Sequence, residues 1–360
     1  MERRHAKAKI LITCLASVGI IVLFGIGIYA LEHARDKDYE NADARDEGIV
    51  NTTLLFGDTE MEVTHNLETY LLIGTDDSGN AEAEGTDEYL GQMADFQLLL
   101  VLDKTDNTYG FLQIDRNTMT EVPLMDTEGN GEGTAFEQIC IAHWYGGTPE
   151  MGCNNTVYCV GELLGGLPID GYYSIHMSDL GTLNHMVGGV EVTIDDDLTM
   201  VDPAMKKGAT IVLTDEQAEK FVRARMGVGK GDNASRMSRQ QQFMQGFKVK
   251  AKQKFQEDPQ FVNDLFVALE KDAVTDISQN QISRIANRMY KSEDLGTLRL
   301  QGKTKIGDTL DDGEMHEEFY ADKKSIMECL AKLCGIDKAH IVTYEYDDED
   351  IEEDTDEDID

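Results

Sequence analysis

One long uncharged segment near the start of the chain constrains its fold most strongly. Ile10–Leu31 runs for 22 residues without a charge. At 1.5 Å per residue a helix of that length spans about 33 Å, which is enough to cross a bilayer. A cleaved signal peptide would have a shorter apolar core and a cleavage site of small residues. The segment therefore predicts a transmembrane helix over residues 10–31.

The charges beside this span predict its orientation. Arg3, Arg4, Lys7 and Lys9 precede it, and basic residues favour the cytoplasmic side of a membrane. Three further basic residues follow within 15 positions, so the bias is modest. We expect a cytoplasmic segment over residues 1–9 and a main domain outside the cell, held to the cell membrane by a single pass.

The overall charge excludes one broad class of function. The chain has 32 Lys and Arg residues against 69 Asp and Glu residues, a net charge of −37. Twelve of the sixteen residues from Glu345 to Asp360 are acidic, which predicts a disordered tail over 346–360. The acidity that remains without this tail would repel phosphate backbones, so we expect no general nucleic-acid binding.

The segment from Lys220 to Lys254 contrasts with this acidity, because it holds ten basic residues and the single acid Asp232. Its most informative side chains are Arg223, Arg225, Arg236, Arg239 and Gln240. The first two precede a Gly-rich loop, and the last three recur at i, i+3 and i+4, which places them on one helix face. Guanidinium groups bind phosphate bidentately, so this pattern suggests a phosphate or pyrophosphate site. Spacing alone leaves a solvated helix face as the alternative.

Two aspartates and one further arginine adjoin predicted strands. Asp76 directly follows an apolar strand, and Asp95 begins the next one. Ligands gather at strand ends in open α/β sheets, and two carboxylates near phosphate suit Mg²⁺. Aspartate is also common in turns after strands. Arg116 follows the second strand of a predicted hairpin, where it either faces the same cleft or pairs with a nearby acid.

Alternation of strands and helices predicts an α/β fold, an α-β-α sandwich with a central mixed sheet, preceded by the transmembrane helix. We expect a membrane-proximal linker over 32–67 and one domain over 68–345. Capping boxes at Thr214 with Gln217 and Ser278 with Gln281 predict two helix starts. The predicted strands are 69–75, 96–103, 109–115, 172–176 and 190–194, and the other predicted helices are 135–145, 155–164, 179–186, 235–256, 261–271 and 325–333.

The cysteines leave two alternatives open. Five lie beyond the span, at Cys140, Cys153, Cys159, Cys329 and Cys334. An extracellular location permits disulfides, but five cysteines leave one without a partner. Buried free thiols are the other interpretation.

Six short motifs follow the span in a fixed order. They read LIGTDDS at 72–78, MAD at 93–95, IDRNT at 114–118, HWYGG at 143–147, VGGVEV at 187–192, and VRAR, GD and RxxRQQ between 222 and 241. That set resembles the LytR-CpsA-Psr family of bacterial envelope proteins over residues 68–345.

The resemblance implies a membrane-anchored phosphotransferase. Family members move a glycopolymer, such as teichoic acid or capsule, from a polyprenyl-pyrophosphate carrier to peptidoglycan, with Mg²⁺ and arginines on the pyrophosphate and the lipid in an apolar tunnel. Carried over by position, Asp76 and Asp95 match the metal ligands. The arginine positions match Arg116, Arg223, Arg225, Arg236 and Arg239, which the resemblance implies are catalytic, and Asp232 and Gln240 match substrate-binding positions.

Departures from the family pattern keep a second function open. Gly79 and Met93 stand where the family usually has arginine, and Asn117 stands where it has an acid. Each lost arginine removes a charge-assisted contact of about 1.5–3 kcal/mol. A non-catalytic scaffold that binds polyprenyl phosphates or cell-wall polymer is therefore the alternative to the enzyme.

The orientation of the chain can be tested directly. We expect a protease added to intact cells that lack an outer membrane to remove the acidic tail at 346–360, because the span 10–31 places the domain outside. Immunoblots against the tail and the domain measure the cut, with a cytoplasmic protein as the control. A tail that is cut only after lysis would reverse the predicted orientation.

Overall fold

The computed structural model describes residues 52–76, 91–224, 231–258, 261–271, 273–308 and 315–344. The predicted span 10–31, Arg225 and the acidic tail lie outside these ranges. Within them, none of the helices combines the length and the apolar character needed to cross a membrane.

The described residues form strands that we number in chain order. They are β1 (Thr52–Phe56), β2 (Thr59–Val63), β3 (Leu67–Thr75), β4 (Ala94–Asp103), β5 (Thr108–Ile114), β6 (Met119–Met125), β7 (Gly131–Gln138), β8 (Gly171–His176), β9 (Glu191–Thr193), β10 (Thr210–Val212), β11 (Val274–Thr275), β12 (Glu293–Arg299), β13 (Gly302–Gly307), β14 (His316–Ala321) and β15 (Ile341–Thr343).

The α-helices of the described residues are numbered in the same way. They are α1 (Pro149–Leu163), α2 (Asp179–Val187), α3 (Asp215–Arg223), α4 (Asn233–Glu257), α5 (Phe261–Glu270), α6 (Gln279–Lys291) and α7 (Lys323–Leu333). The side chains of Thr214 and Ser278 cap α3 and α6 in complete capping boxes with Gln217 and Gln281, as the sequence predicts.

A mixed sheet lies at the centre, with strand order β11-β8-β3-β4-β5-β12. Strand β3 is antiparallel to β4 and parallel to β8, and β12 runs parallel to β5. All nine residues of β3 are buried, because both faces of the sheet are covered. The predicted α/β fold with a central mixed sheet is confirmed.

Two apolar cores cover the two faces of this sheet. Helices α2 to α6 supply one core, which includes Leu183, Phe221 and Phe247. Helices α1 and α7, with the small sheet of β1, β2 and β15, supply the other, which includes Val160 and Leu330. The cleft that holds the predicted site opens on the side of α3 and α4.

Two local predictions are wrong. Residues 135–145 are not an α-helix, because β7 pairs with β6 in a hairpin and a 3-10 helix follows at Ile139–Trp144. Within the predicted linker 32–67, β1 and β2 form a hairpin whose alternating side chains, including Leu54 and Met61, are fully buried. In both places pairing between neighbouring strands decides the structure and overrides the local pattern, and β2 also pairs with the distant β15.

The cysteines of the described residues resolve the alternatives left by the sequence. Cys140, Cys153, Cys159, Cys329 and Cys334 are free thiols, and all five are buried. Burial raises the pKa of Cys153 to about 12 and that of Cys334 to about 12. These thiols are therefore protonated and unreactive at neutral pH.

A buried ion pair at the start of the sheet generates a stability prediction. Lys104 Nζ lies 3.0 Å from Glu68 Oε1, with side chains only 9% and 4% exposed. Lys104→Ala leaves the Glu68 carboxylate buried without its cation, so we expect a loss of about 3–5 kcal/mol in the free energy of unfolding.

The matched control is an exposed pair of the same residue types. Lys220 Nζ lies 2.6 Å from Glu216 Oε1, with side chains 42% and 79% exposed, and Lys220→Ala should cost at most about 0.5 kcal/mol. Urea denaturation measures both variants. Equal losses in the two variants would contradict the expected effect of burial.

Candidate functional site

A β-bulge positions the first acidic side chain of the site. Gly74 pairs with Phe96 and Thr75 pairs with Ala94, so Asp95 is an extra residue without a partner in β3. A bulge bends the strand and redirects the side chain of its extra residue. Asp95 is thereby presented at the end of the sheet, where β3 ends.

Asp76 lies at the same end of the neighbouring strand. Its backbone N–H donates to the Met93 carbonyl at 3.1 Å, and its Oδ1 accepts from the Met93 N–H at 3.1 Å. These two bonds fix Asp76 against the residue that precedes β4. The two acids that the sequence predicts as metal ligands therefore lie on adjacent strands at one end of the sheet.

Two arginines converge on the Asp95 carboxylate. Arg116 Nη1 lies 2.6 Å from Asp95 Oδ1, and Arg236 Nη1 lies 3.7 Å from the same oxygen. The three side chains are 13%, 5% and 11% exposed for Arg116, Arg236 and Asp95. One carboxylate thus faces two largely desolvated guanidinium groups, and this arrangement attracts a further anion.

Arg116 keeps its charge in this buried position. Its Nη2 donates to Met93 Sδ at 3.0 Å and to Cys140 Sγ at 3.1 Å. Burial opposes its charge, but the neighbouring Asp95 carboxylate raises the pKa of Arg116 above the ordinary value of arginine. Because sulfur is a weak acceptor, these contacts orient the guanidinium and still leave it able to bind an anion strongly.

The start of α4 brings Arg236 to this cluster. Asp232 caps the helix, since its Oδ1 accepts from the Ser235 N–H at 2.8 Å. Asn233 Nδ2 donates to Asp115 Oδ1 at the end of β5. Burial raises the pKa of Asp115. The predicted substrate-binding residue Asp232 therefore acts as a helix cap here, and Arg236 follows one turn later.

The other predicted arginines take different positions. Arg239 Nε donates to the Phe221 carbonyl at 2.9 Å and its Nη2 donates to the Ala224 carbonyl. Its guanidinium thereby satisfies carbonyl groups at the end of α3, and burial lowers its pKa. Arg223, the last residue of α3, lies 2.7 Å from Glu219 Oε1 and is about one-third exposed. Arg225, in the segment that follows, lies outside the described residues.

An apolar pocket adjoins the charged cluster between the sheet and helices α2, α3 and α4. Gln240 lies on its wall, one turn after Arg236, and is 3% exposed. The remaining wall is mostly apolar and includes Leu72, Phe96, Tyr173, Leu180, Val222 and Phe243. A ligand with a charged head and an apolar tail matches this arrangement.

Sequence reasoning missed two polar residues beside Gln240. Gln113 Nε2 donates to Gln240 Oε1 at 3.1 Å, and Arg299 Nε donates to Gln113 Oε1 at 3.0 Å. Arg299 reaches the site because β12 pairs in parallel with β5, where Arg299 lies opposite Gln113. Nothing in the local sequence around Arg299 indicates that pairing.

The acids Asp76 and Asp95 do not by themselves form a three-ligand group. The described residues do contain a group of three side chains whose potential ligand atoms all lie within 4.8 Å of one another. Its members are His65, Asp103 and Asp106. His65 Nδ1 lies 2.6 Å from Asp103 Oδ2 at the opposite end of β4, and this ion pair accounts for their proximity.

Comparisons with known proteins identify the family of the chain. The model of the LytR_cpsA_psr family matches residues 28–333. The polyisoprenyl-teichoic acid–peptidoglycan teichoic acid transferase TagU of Bacillus cereus strain AH820 is 27% identical over 281 residues, covering 77% of this chain and 82% of TagU. TagU of Bacillus anthracis is 28% identical over 281 residues, with the same coverage.

Solved structures share the fold. Protein gbs0355 of Streptococcus agalactiae superposes with a TM-score of 0.59 at 18% identity, covering 77% of this chain and 91% of its own. TagV of B. subtilis superposes with a TM-score of 0.51 at 20% identity, covering 75% and 97%.

Proposed function

Because the chain belongs to the LytR_cpsA_psr family, we propose that it transfers a glycopolymer from a polyprenyl-pyrophosphate carrier to peptidoglycan. The relatives named above are called teichoic acid transferases, and the chain covers most of their length. We further propose that the domain acts outside the cell, held to the membrane by the predicted span 10–31.

One observation carries the proposal: a cluster of buried arginines opens directly beside an apolar pocket. Arg116 and Arg236 flank Asp95, and Gln240, one turn further along α4, lines the pocket. A polyprenyl pyrophosphate has the matching form, with two phosphates at one end of an apolar chain. Arginine is suited to the phosphates because its planar fork binds their oxygens bidentately.

The proposed reaction is a phosphoryl transfer. A peptidoglycan hydroxyl attacks the phosphorus that carries the glycan and loses its proton. The new P–O bond forms as the bond from that phosphorus to the bridging oxygen breaks, and polyprenyl phosphate leaves. Arg116 and Arg236 stabilise the negative charge that develops on the phosphate oxygens, and catalysis of this kind rests on positioning and electrostatics.

The site also fits Mg²⁺, which we propose as the cofactor. Asp76 and Asp95 offer carboxylate oxygens from adjacent strands at one end of the sheet. Arg116 Nη1 lies 2.6 Å from Asp95 Oδ1, so a metal ion here would share the Asp95 carboxylate with Arg116. Mg²⁺ binds few protein carboxylates and completes its coordination with water and substrate phosphates. When bound, it would neutralise charge on the pyrophosphate.

The scaffold alternative rests on two observations. Met93 stands where the family usually has an arginine, and the guanidinium of Arg239 is engaged with backbone carbonyls. Both reduce the positive charge available to a ligand. The two experiments below separate the alternatives.

The first experiment concerns metal. With polyprenyl pyrophosphate and MgCl₂, we expect the thermal midpoint of the full-length protein in detergent to rise. Asp76→Ala and Asp95→Ala should remove the metal-dependent part of that rise, because one carboxylate rarely holds Mg²⁺. Glu328→Ala on α7 is the control, because the Glu328 side chain is 68% exposed. A metal-dependent rise that survives in both alanine variants would rule out these ligands.

The second experiment separates catalysis from binding. In an enzyme, Arg236→Ala should lower the turnover of lipid-linked glycan transfer by about 10²-fold or more, because it removes charge stabilisation in the transition state. In a scaffold the same change would only weaken ligand binding, by about 1.5–3 kcal/mol. The assay follows transfer of a lipid-linked glycan to peptidoglycan fragments by the full-length protein.

Lys324→Ala is the control for this assay, since Lys324 is 84% exposed, and its turnover should match that of the unmodified protein. Absence of transfer by the unmodified protein, together with Arg236-dependent binding of polyprenyl pyrophosphate, would support the scaffold against the enzyme.

A further inference from the structure

A series of three polar side chains, of which Gln113 and Gln240 are buried and Arg299 is partly buried, links strand β12 to the apolar pocket. Arg299 Nε donates to Gln113 Oε1 at 3.0 Å, and Gln113 Nε2 donates to Gln240 Oε1 at 3.1 Å. Gln113 is 2% exposed and Gln240 is 3% exposed. Water therefore has little access to either amide.

Arg299 determines the direction of both hydrogen bonds in this series of side chains. A glutamine amide has an acceptor oxygen on one side and a donor nitrogen on the other, and it can be turned over. Arginine has no acceptor, so Gln113 must turn its oxygen towards Arg299. The Gln113 Nε2 then faces Gln240 and donates a hydrogen bond to its Oε1. Only the Gln240 nitrogen remains for a third group.

That nitrogen lies where a ligand is expected. Gln240 Nε2 is buried and has no hydrogen-bond partner among the described residues. Gln240 lines the apolar pocket one turn beyond Arg236. A buried donor without an acceptor is costly, so the position favours a ligand that brings an acceptor, and the adjacent guanidinium favours an anionic one.

We propose that Arg299 is a positioning residue that, through Gln113, holds Gln240 as a hydrogen-bond donor towards a phosphate oxygen of the ligand. Arg299 itself need not touch the ligand. The inference rests on the proposed function, which supplies the pyrophosphate. The inference adds Arg299 of β12 to the site and assigns a role to the hydrogen bond between Gln113 and Gln240.

The test reverses the hydrogen bond between residues 113 and 240 without changing the shape of the side chains. In Gln113→Glu the new carboxylate accepts from both Arg299 and Gln240. The Gln240 amide must then turn over and present its oxygen to the phosphate. We expect the affinity for inorganic pyrophosphate to fall about ten- to a hundredfold, the scale of one hydrogen bond to a charged group. Titration calorimetry on the full-length protein in detergent measures it.

A double-mutant cycle separates this effect from the added negative charge. If Gln113→Glu acts through the amide of Gln240, it should change the affinity less than about threefold in a Gln240→Ala background, because the group it turns is absent. A simple charge effect would be the same in both backgrounds, and that result would overturn the inference.

Substitutions of Arg299 give an independent check. Arg299→Met frees the amides of Gln113 and Gln240 to turn over. The affinity for pyrophosphate should therefore fall when this change is made in the native protein, and should not fall further when it is made in the Gln240→Ala variant. Arg299→Lys keeps a donor at this position and should bind like the native protein. A loss of affinity in Arg299→Met that persists with Gln240→Ala would overturn the positioning role.

The outcomes also separate this inference from the proposed function. If the native protein binds pyrophosphate and Gln240→Ala weakens binding, but neither Gln113 nor Arg299 acts through Gln240, the inference fails and the proposed function stands. If the native protein binds no pyrophosphate, both fail.

Discussion

The interaction on which the site depends is the contact of one carboxylate, that of Asp95, with two buried guanidinium groups. Like charges repel strongly where water is largely excluded, so Arg116 and Arg236 need a shared counter-ion. The β-bulge supplies it by presenting Asp95 as an unpaired residue. The same contact brings two guanidinium groups together at the end of the sheet, where their planar forks are suited to bind the oxygens of a phosphate.

Helix α4 connects this charged cluster to the pocket, and the residues along it have different structural roles. Asp232 caps the helix, and Arg239 secures the carbonyl groups at the end of α3. Arg236 and Gln240, four residues apart, lie on one face and reach the cluster and the pocket respectively. A sequence signature that looks like a single set of ligand-binding residues therefore combines two supporting residues with two that face the proposed ligand.

The elements that could be predicted from the sequence are those determined by short local patterns. Strand β3, the β4–β5 hairpin and the caps of α3 and α6 follow from apolar runs and short capping motifs, and the structure confirms them. The bulge at Asp95 and the pairing of β12 with β5 depend on register between segments that are separated along the chain. No local pattern encodes that register, which explains why Asp76, Asp95 and Arg116 could be nominated while Gln113 and Arg299 could not.

The departures from the family pattern change the charge of the site more than its framework. Met93 still fixes Asp76 through two backbone bonds, and its sulfur contacts Arg116 where the family usually has a second arginine. The acid usually found at position 117 is replaced by Asn117, but Asp115 accepts the Asn117 N–H at 2.9 Å and keeps a carboxylate in the same turn. Two positive charges are lost, at Gly79 and Met93, and one negative charge is relocated. The geometry for holding a phosphate therefore persists with fewer positive charges, so we expect these substitutions to affect substrate affinity more than the fold.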